Sequence, residues 1–191
     1  DLAITKKRIG LSENMNYVLY APTFRNSGDL NIYRLDYEKL CNALSKKFSG
    51  NCTVLLRLHP NIRKLGTKII ETEKCINVTE YPDMYDLLDI SEILITDYSS
   101  SMFEAGFLNK KVFLYCGDLE KYQKERPLYF DIKSLPYLLA QTMEELEHQI
   151  KIFDWIHYKK QLETFNRKLG ILETGKSCAV ICDIIRNKLA T

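Results

Sequence analysis

The chain has 191 residues, of which 46% are hydrophobic and 27% charged, with a net charge of +2. Such a composition can bury one sizeable core and excludes a disordered polyelectrolyte. No apolar run approaches the ~20 residues needed to cross a bilayer. No signal peptide is recognised, so any membrane contact is expected to be peripheral, and the scattered cysteines suggest reduced thiols in a cytoplasmic protein.

The charge is uneven. Residues 1–65 carry 11 Lys/Arg against 5 Asp/Glu, and the remainder 16 against 20. A basic first third suits an anionic substrate or surface. Ordinary solvated lysines remain the plain alternative for Lys6, Lys7, Arg8, Lys46 and Lys47. The six cysteines form no C-x-x-C pair and have no histidine at zinc-ligand spacing. Cys178 and Cys182 stand one helical turn apart among Ile181, Ile185 and Leu189, and are expected in the core.

In chain order, residues 1–15 lack periodicity and read as a linker or interdomain remnant; residues 16–191 read as one domain with C-terminal helices. Tyr17–Tyr20 is a predicted strand that stops at Ala21-Pro22. After a polar loop from Asn26 to Asn31, apolar spacing from Tyr37 to Phe48 predicts a helix. Thr53–Leu58 is a second strand, cut by His59-Pro60. Residues 61–74 are ambiguous, Asn77-Val78 is a brief strand, and Asp83 caps a helix burying Leu87, Leu88 and Ile90. Ile93–Thr96 is a buried strand running through Asp97-Tyr98 into a helix headed by serines. Val112–Tyr115 is another strand, ended by Cys116-Gly117-Asp118. The last third is helical: a capping box at Thr142–Glu145, a stripe from Trp155 to Leu169, and a helix opened by Thr174–Ser177. Strands alternating with helices predict a parallel α/β sheet of the Rossmann type.

Three polar clusters fall at carboxyl ends of these strands, where open α/β sheets bind ligands. They are Pro22-Thr23-Phe24-Arg25, Arg57-Leu58-His59-Pro60, and Asp97 through Glu104. The third combines serine hydroxyls with the N–H groups of a helix start, a ready anion site. Each cluster has a plainer reading. Thr23 could cap a turn, Arg25 lie on the surface, Arg57 form a buried salt bridge, Ser99 or Ser100 act as a simple N-cap, and Glu104 face solvent. No Walker or G-x-G-x-x-G sequence occurs, so a phosphate site here must use serines and basic side chains.

The run Tyr20-Ala21-Pro22-Thr23-Phe24-Arg25, then Arg57-Leu58-His59-Pro60, then Thr96-Asp97-Tyr98-Ser99-Ser100 with Phe103-Glu104, resembles the CDP-glycerol glycerophosphotransferase family. These are teichoic-acid-type primases and polymerases. Tyr129-Phe130-Asp131 and Gly175-Lys176 are similar too. The resemblance implies the C-terminal, nucleotide-binding half of a two-domain glycosyltransferase-B-like enzyme. Such an enzyme transfers glycerol or ribitol phosphate from a CDP carrier to a polyol-phosphate or lipid-linked acceptor, releasing CMP. On that resemblance, Pro22, Thr23, Arg25, Asp97, Ser99, Ser100 and Glu104 bind donor, and His59 and Arg57 stabilise charge on the departing CMP. The family's other histidine and the arginine-bearing stretch at its domain junction have no counterpart here, so an N-terminal domain is an implied partner. No cofactor is assigned; a divalent cation is compatible with phosphoryl transfer at a diester, but no carboxylate cluster demands one. Two rival readings stand: the donor half of an ordinary nucleotide-sugar glycosyltransferase, or a non-catalytic anion-binding module. Nucleic acid is disfavoured, since no basic-aromatic module pattern appears.

Overall fold

The computed structural model describes residues 2–13, 15–26, 30–63, 72–171 and 175–189. Its six strands are β1 (Asn16–Tyr20), β2 (Cys52–Leu56), β3 (Cys75–Asn77), β4 (Ile93–Thr96), β5 (Lys111–Tyr115) and β6 (Leu138–Ala140). They lie in the order β3-β2-β1-β4-β5-β6, with every pairing parallel. The described helices are α1 (Leu2–Ile9), α2 (Tyr37–Phe48), α3 (Met84–Ile90), α4 (Ser101–Phe107), α5 (Leu119–Glu125), α6 (Met143–Ile152), α7 (Trp155–Lys168) and α8 (Ser177–Leu189).

The strand order follows from the apolar pattern. β1, β2 and β4 are almost continuously buried rather than alternating, as strands covered on both faces must be. In register, Val18 lies opposite Val54 on one side and Ile93 on the other. Leu19, Leu55 and Leu94 have no exposed surface at the sheet centre, each contributing about 1.5–3 kcal/mol on burial. The chain reaches β3 at one edge, then returns through α3 to place β4 beside β1. That reversal makes the gap between β1 and β4 the switch point of the sheet, where a crevice opens past the carboxyl ends.

Local sequence explains most boundaries. Asp36 caps α2 by accepting from the Lys39 amide at 3.0 Å, and Asp83 caps α3 by accepting from Tyr85 at 2.7 Å. Thr142 caps α6 by accepting from the Glu145 amide at 3.2 Å. The Glu145 carboxylate reaches back to the Gln141 amide at 2.7 Å, one residue beyond the usual partner.

Several expectations are corrected. Residues 2–9, for which no regular element is expected, form α1, which packs against α3 and buries Thr5. The strand expected to run to Leu58 stops at Leu56, and the brief one at Asn77-Val78 is Cys75–Asn77. The short elements α5 and β6 were not foreseen. α5 buries only Leu119 and Tyr122, and β6 has three residues, too few for a period to show. The largest correction concerns α8. Cys178, Cys182, Ile181, Ile185 and Leu189, expected in the core, are all exposed, and no residue of this helix is buried. The ambiguous stretch at 61–74 falls largely on 64–71, and Thr174 and part of the loop after Asn26 likewise lie outside the described residues.

Candidate functional site

The site is built on a buried ionic frame spanning the switch point. Asp97, immediately after β4 and 3% exposed, accepts from the Thr23 amide at 2.8 Å and the Tyr98 amide at 2.6 Å. One carboxylate oxygen thus ties the loop after β1 to the loop after β4. Its other oxygen accepts from Arg25 Nη2 at 2.9 Å. Arg25 is 6% exposed, and three further hydrogen bonds hold its guanidinium. Nε and Nη2 fork onto Asp118 at 2.7 and 2.9 Å, and Nη1 donates to the Thr23 carbonyl. A planar five-donor guanidinium can serve two carboxylates and a carbonyl at once; a lysine cannot.

Aromatic rings seal this frame. The Arg25 guanidinium lies 4.8 Å from the ring centres of both Tyr98 and Tyr122, which stack on each other at 3.8 Å. The Tyr98 hydroxyl donates to Asp118 at 3.0 Å, and the Arg25 amide to the Tyr33 hydroxyl oxygen at 2.7 Å. Burial pushes the Asp97 carboxyl above its ordinary pKa, opposed by the Arg25 charge, then by the adjacent Thr23 side chain and the donated amides. Burial also works to raise Asp118, yet the hydrogen bonds and charge of Arg25, helped by Tyr98, hold it below the usual carboxylate value. Asp118 stands where α5 needs an N-cap, but its side chain makes no capping bond because Arg25 and Tyr98 occupy it.

Around this frame the three clusters take up distinct positions. Pro22 is buried beside Thr23, whose hydroxyl is buried without a hydrogen-bond partner. His59 is half-buried, its ring 4.6 Å from that of Phe24. Its Nδ1 accepts from the Asn61 amide at 3.2 Å, which places the proton of the neutral ring on Nε2 and leaves that atom to donate. Burial, then the nearby Arg126, lowers the His59 pKa. Arg57 sits one residue past β2, and its guanidinium is directed to backbone carbonyls ahead of α3: Nη1 to Tyr81 and Nη2 to Pro82 at 3.4 Å. Neither a salt bridge nor an open cation describes it.

At the third cluster, Ser99 Oγ accepts from the Ser101 amide at 3.3 Å and from the Ser101 hydroxyl at 2.9 Å. Ser100 is the N-cap position of α4, is exposed, and makes no side-chain capping bond. The Ser99 and Ser100 amides have no backbone partner among the described residues. α4 has only seven residues, so its dipole is a weaker contributor than expected from the sequence. Glu104 is exposed on α4, with no bond to the other site residues.

The structure therefore brings Thr23, His59, Ser99 and Ser100 to the carboxyl end of neighbouring strands β1, β2 and β4. It sets Arg25 and Asp97 behind them as support and turns Arg57 toward α3. Two residues escaped the sequence reading. Asp118 carried a usable signal, since it too follows a strand end. Arg126 lies 4.5 Å over the Phe24 ring and donates to Asn26 at 3.3 Å, and nothing in its sequence context marked it. Among the described residues, no group of three or more His, Cys, Asp or Glu side chains is placed to hold a metal ion. No described helix is long and apolar enough to cross a membrane.

A parallel open sheet in this order, with its polar residues gathered at the β1/β4 switch point, defines a Rossmann-like ligand-binding domain. Comparison with known proteins narrows the class. Residues 1–187 match the family model of CDP-Glycerol:Poly(glycerophosphate) glycerophosphotransferase, and the chain belongs to that family. It is 36% identical over 178 residues to a teichoic acid ribitol-phosphate primase of Bacillus spizizenii, a match covering 91% of this chain and 44% of that protein. It is 31% identical over 187 residues to a teichoic acid glycerol-phosphate transferase of Staphylococcus aureus, covering 94% and 47%. A structure of the wall teichoic acid polymerase TagF superposes with a TM-score of 0.76 at 26% identity, over 99% of this chain and 47% of that one. Another TagF structure, soaked with CDPG, gives 0.67 at 27% identity, over 97% and 44%. The chain thus spans a little under half the length of these relatives.

Proposed function

We propose that this chain is the donor-binding half of a glycerophosphotransferase, holding the diphosphate of CDP-glycerol or CDP-ribitol past the ends of β1, β2 and β4. The observation that carries the reading is the Asp97 carboxylate, which joins the Thr23 and Tyr98 amides and so fixes two strand-end loops at one place. Around it stand groups that can donate to phosphate oxygens: the Thr23 hydroxyl, the Ser99 and Ser100 amides, the Ser100 hydroxyl and His59 Nε2. Pro22 shapes the first loop; Arg25, Asp97 and Arg57 act by holding these donors in place rather than by touching the ligand. Glu104 is assigned to the rim, where a ribose diol would offer it hydroxyls. Fixed donors aimed at the oxygen that gains charge as CMP departs would stabilise the transition state more than the ground state. His59, neutral at pH 7 by its lowered pKa, acts there as a hydrogen-bond donor.

The acceptor is a polyol-phosphate or lipid-linked chain. The remaining half of the parent protein supplies the acceptor side of the cleft, and the cytoplasmic face of a membrane is the place of action. The uncovered apolar surface of α8 supports contact with such a further domain. Calorimetric titration of this chain with CDP-glycerol, CDP-ribitol, CMP and UDP-sugars tests the donor assignment. A CDP-alditol should bind tightest, and Ser99→Ala with Ser100→Ala should weaken it. Tighter binding of a UDP-sugar would overturn the reading. In the full-length enzyme, His59→Ala should lower kcat by ~100-fold or more.

A further inference from the structure

The groups assigned to the donor site offer a diphosphate several hydrogen-bond donors but no full positive charge. Arg25 is held by Asp97 and Asp118, and the Arg57 guanidinium is directed to the Tyr81 and Pro82 carbonyls. His59 is neutral at pH 7, since burial lowers its pKa. A nucleoside diphosphate ester carries a negative charge on each phosphate, and hydrogen bonds alone leave that charge without a counterion.

Arg126 stands where a cation is needed. It follows α5, and its amide donates to the Tyr122 carbonyl at 2.8 Å, so its backbone is tied to one of the rings that seal the Arg25 frame. Its guanidinium lies 4.5 Å over the Phe24 ring, and the same ring lies 4.6 Å from that of His59. Arg126 and His59 thus share one aromatic neighbour, the residue after Thr23, and the Arg126 charge reaches the imidazole. Slightly further along the chain, Leu128, Tyr129 and Phe130 line a cavity of about 190 Å³ together with Ser100. The segment that Arg126 begins therefore leads from the Phe24–His59 pair to the head of α4.

The way Arg126 is held leaves it able to act. Stacking on a ring uses the flat face of a guanidinium and leaves its N–H groups around the rim. One of them, on Nη2, donates to Asn26 at 3.3 Å at an exposed position. Among the described residues Arg126 makes no ion pair, whereas Arg25 makes two. Packing on Phe24 does not by itself call for a charge. A half-buried arginine with no carboxylate to neutralise it, beside the histidine of the site, is suited to an anion from outside.

We propose that Arg126 binds the donor, its guanidinium fork taking diphosphate oxygens from the Phe24 side while the Ser99 and Ser100 amides take them from the head of α4. This role rests on the donor assignment and supplies the charge which that assignment lacks. The same cation would offset the charge that CMP gains as it leaves.

Calorimetric titration of the parent chain, Arg126→Gln and Arg126→Lys with CDP-glycerol and CMP, and NMR titration with cytidine, provide the test. A hydrogen bond to a charged group contributes about 10- to 100-fold to binding, so Arg126→Gln should weaken CDP-glycerol by that factor. CMP, with one phosphate, should lose less, and cytidine, with none, should bind parent and variant alike. Arg126→Lys keeps the charge but loses the fork, and its affinity for CDP-glycerol should fall between the other two. Parent-like binding of CDP-glycerol by Arg126→Gln would overturn the proposal. So would equal weakening of CDP-glycerol and cytidine, which would make Arg126 a structural residue. A parent chain that binds no CDP-alditol at all would overturn the donor assignment itself, and this role with it.

Discussion

Replacing Arg25 with methionine probes the frame on which the site rests. The substitution keeps much of the side-chain length but removes the cation from between two carboxylates. Arg25 and Asp97 have side chains only 5% and 4% exposed, and Asp118 only 16%. Breaking a buried pair from one side costs about 3–5 kcal/mol, because the surviving charge is stranded without solvent or partner. For a domain of this size each kcal/mol lowers Tm by about 2–4 °C, so Arg25→Met should lower Tm by about 6–20 °C. The pH dependence separates this cause from lost packing. Arg25 holds the folded-state pKa of Asp118 down, a contribution present above the unfolded value and lost as pH falls through the folded one. Arg25 also opposes the burial that raises Asp97, so without it the Asp97 pKa climbs further and its penalty fades once the carboxyl takes a proton. Both effects shrink the deficit in the same direction. Urea unfolding at pH 7 and at pH 3, below the ordinary value of the Asp118 carboxyl, should show the gap between variant and parent narrowing at the lower pH. A loss below ~1 kcal/mol at pH 7, or a gap unchanged between the two pH values, would refute the frame as described.

Further expectations bear on other parts of the molecule. NMR titration should find the His59 midpoint below 6.5 with Nε2 protonated in the neutral ring, and Arg126→Gln should raise that midpoint only partway, since burial is the larger cause. Stability linked to His59 should accordingly be full above pH 6.5 and decline as pH falls toward the folded-state pKa. Thr142→Ala should lower unfolding free energy by ~1 kcal/mol through loss of the bond to the Glu145 amide; no change in denaturant midpoint would remove that cap from the account. Ile181→Ser/Ile185→Ser should stay within about 0.5 kcal/mol of the parent chain, because α8 buries nothing in this domain.

The sequence by itself determined the parallel sheet. Four of the six strands show as apolar runs, and Pro22 stands just past the end of β1, where a ring nitrogen cannot donate to a ladder. It also identified which ends of the strands carry polar chemistry, since sheet architecture assigns ligands to those ends regardless of side-chain detail. It did not determine which polar residues face a ligand and which hold the scaffold. Arg25 and Arg57 look alike on paper as cations after a strand. Only the packed structure encloses Arg25 between Asp97 and Asp118 and turns Arg57 onto the Tyr81 and Pro82 carbonyls. Such choices depend on partners 72 and 93 residues away for Arg25, a separation at which local spacing carries no signal. α8 shows the same limit from the other side. Its apolar residues repeat as a core helix would, but burial is a property of the neighbouring surface, and none of its residues is buried.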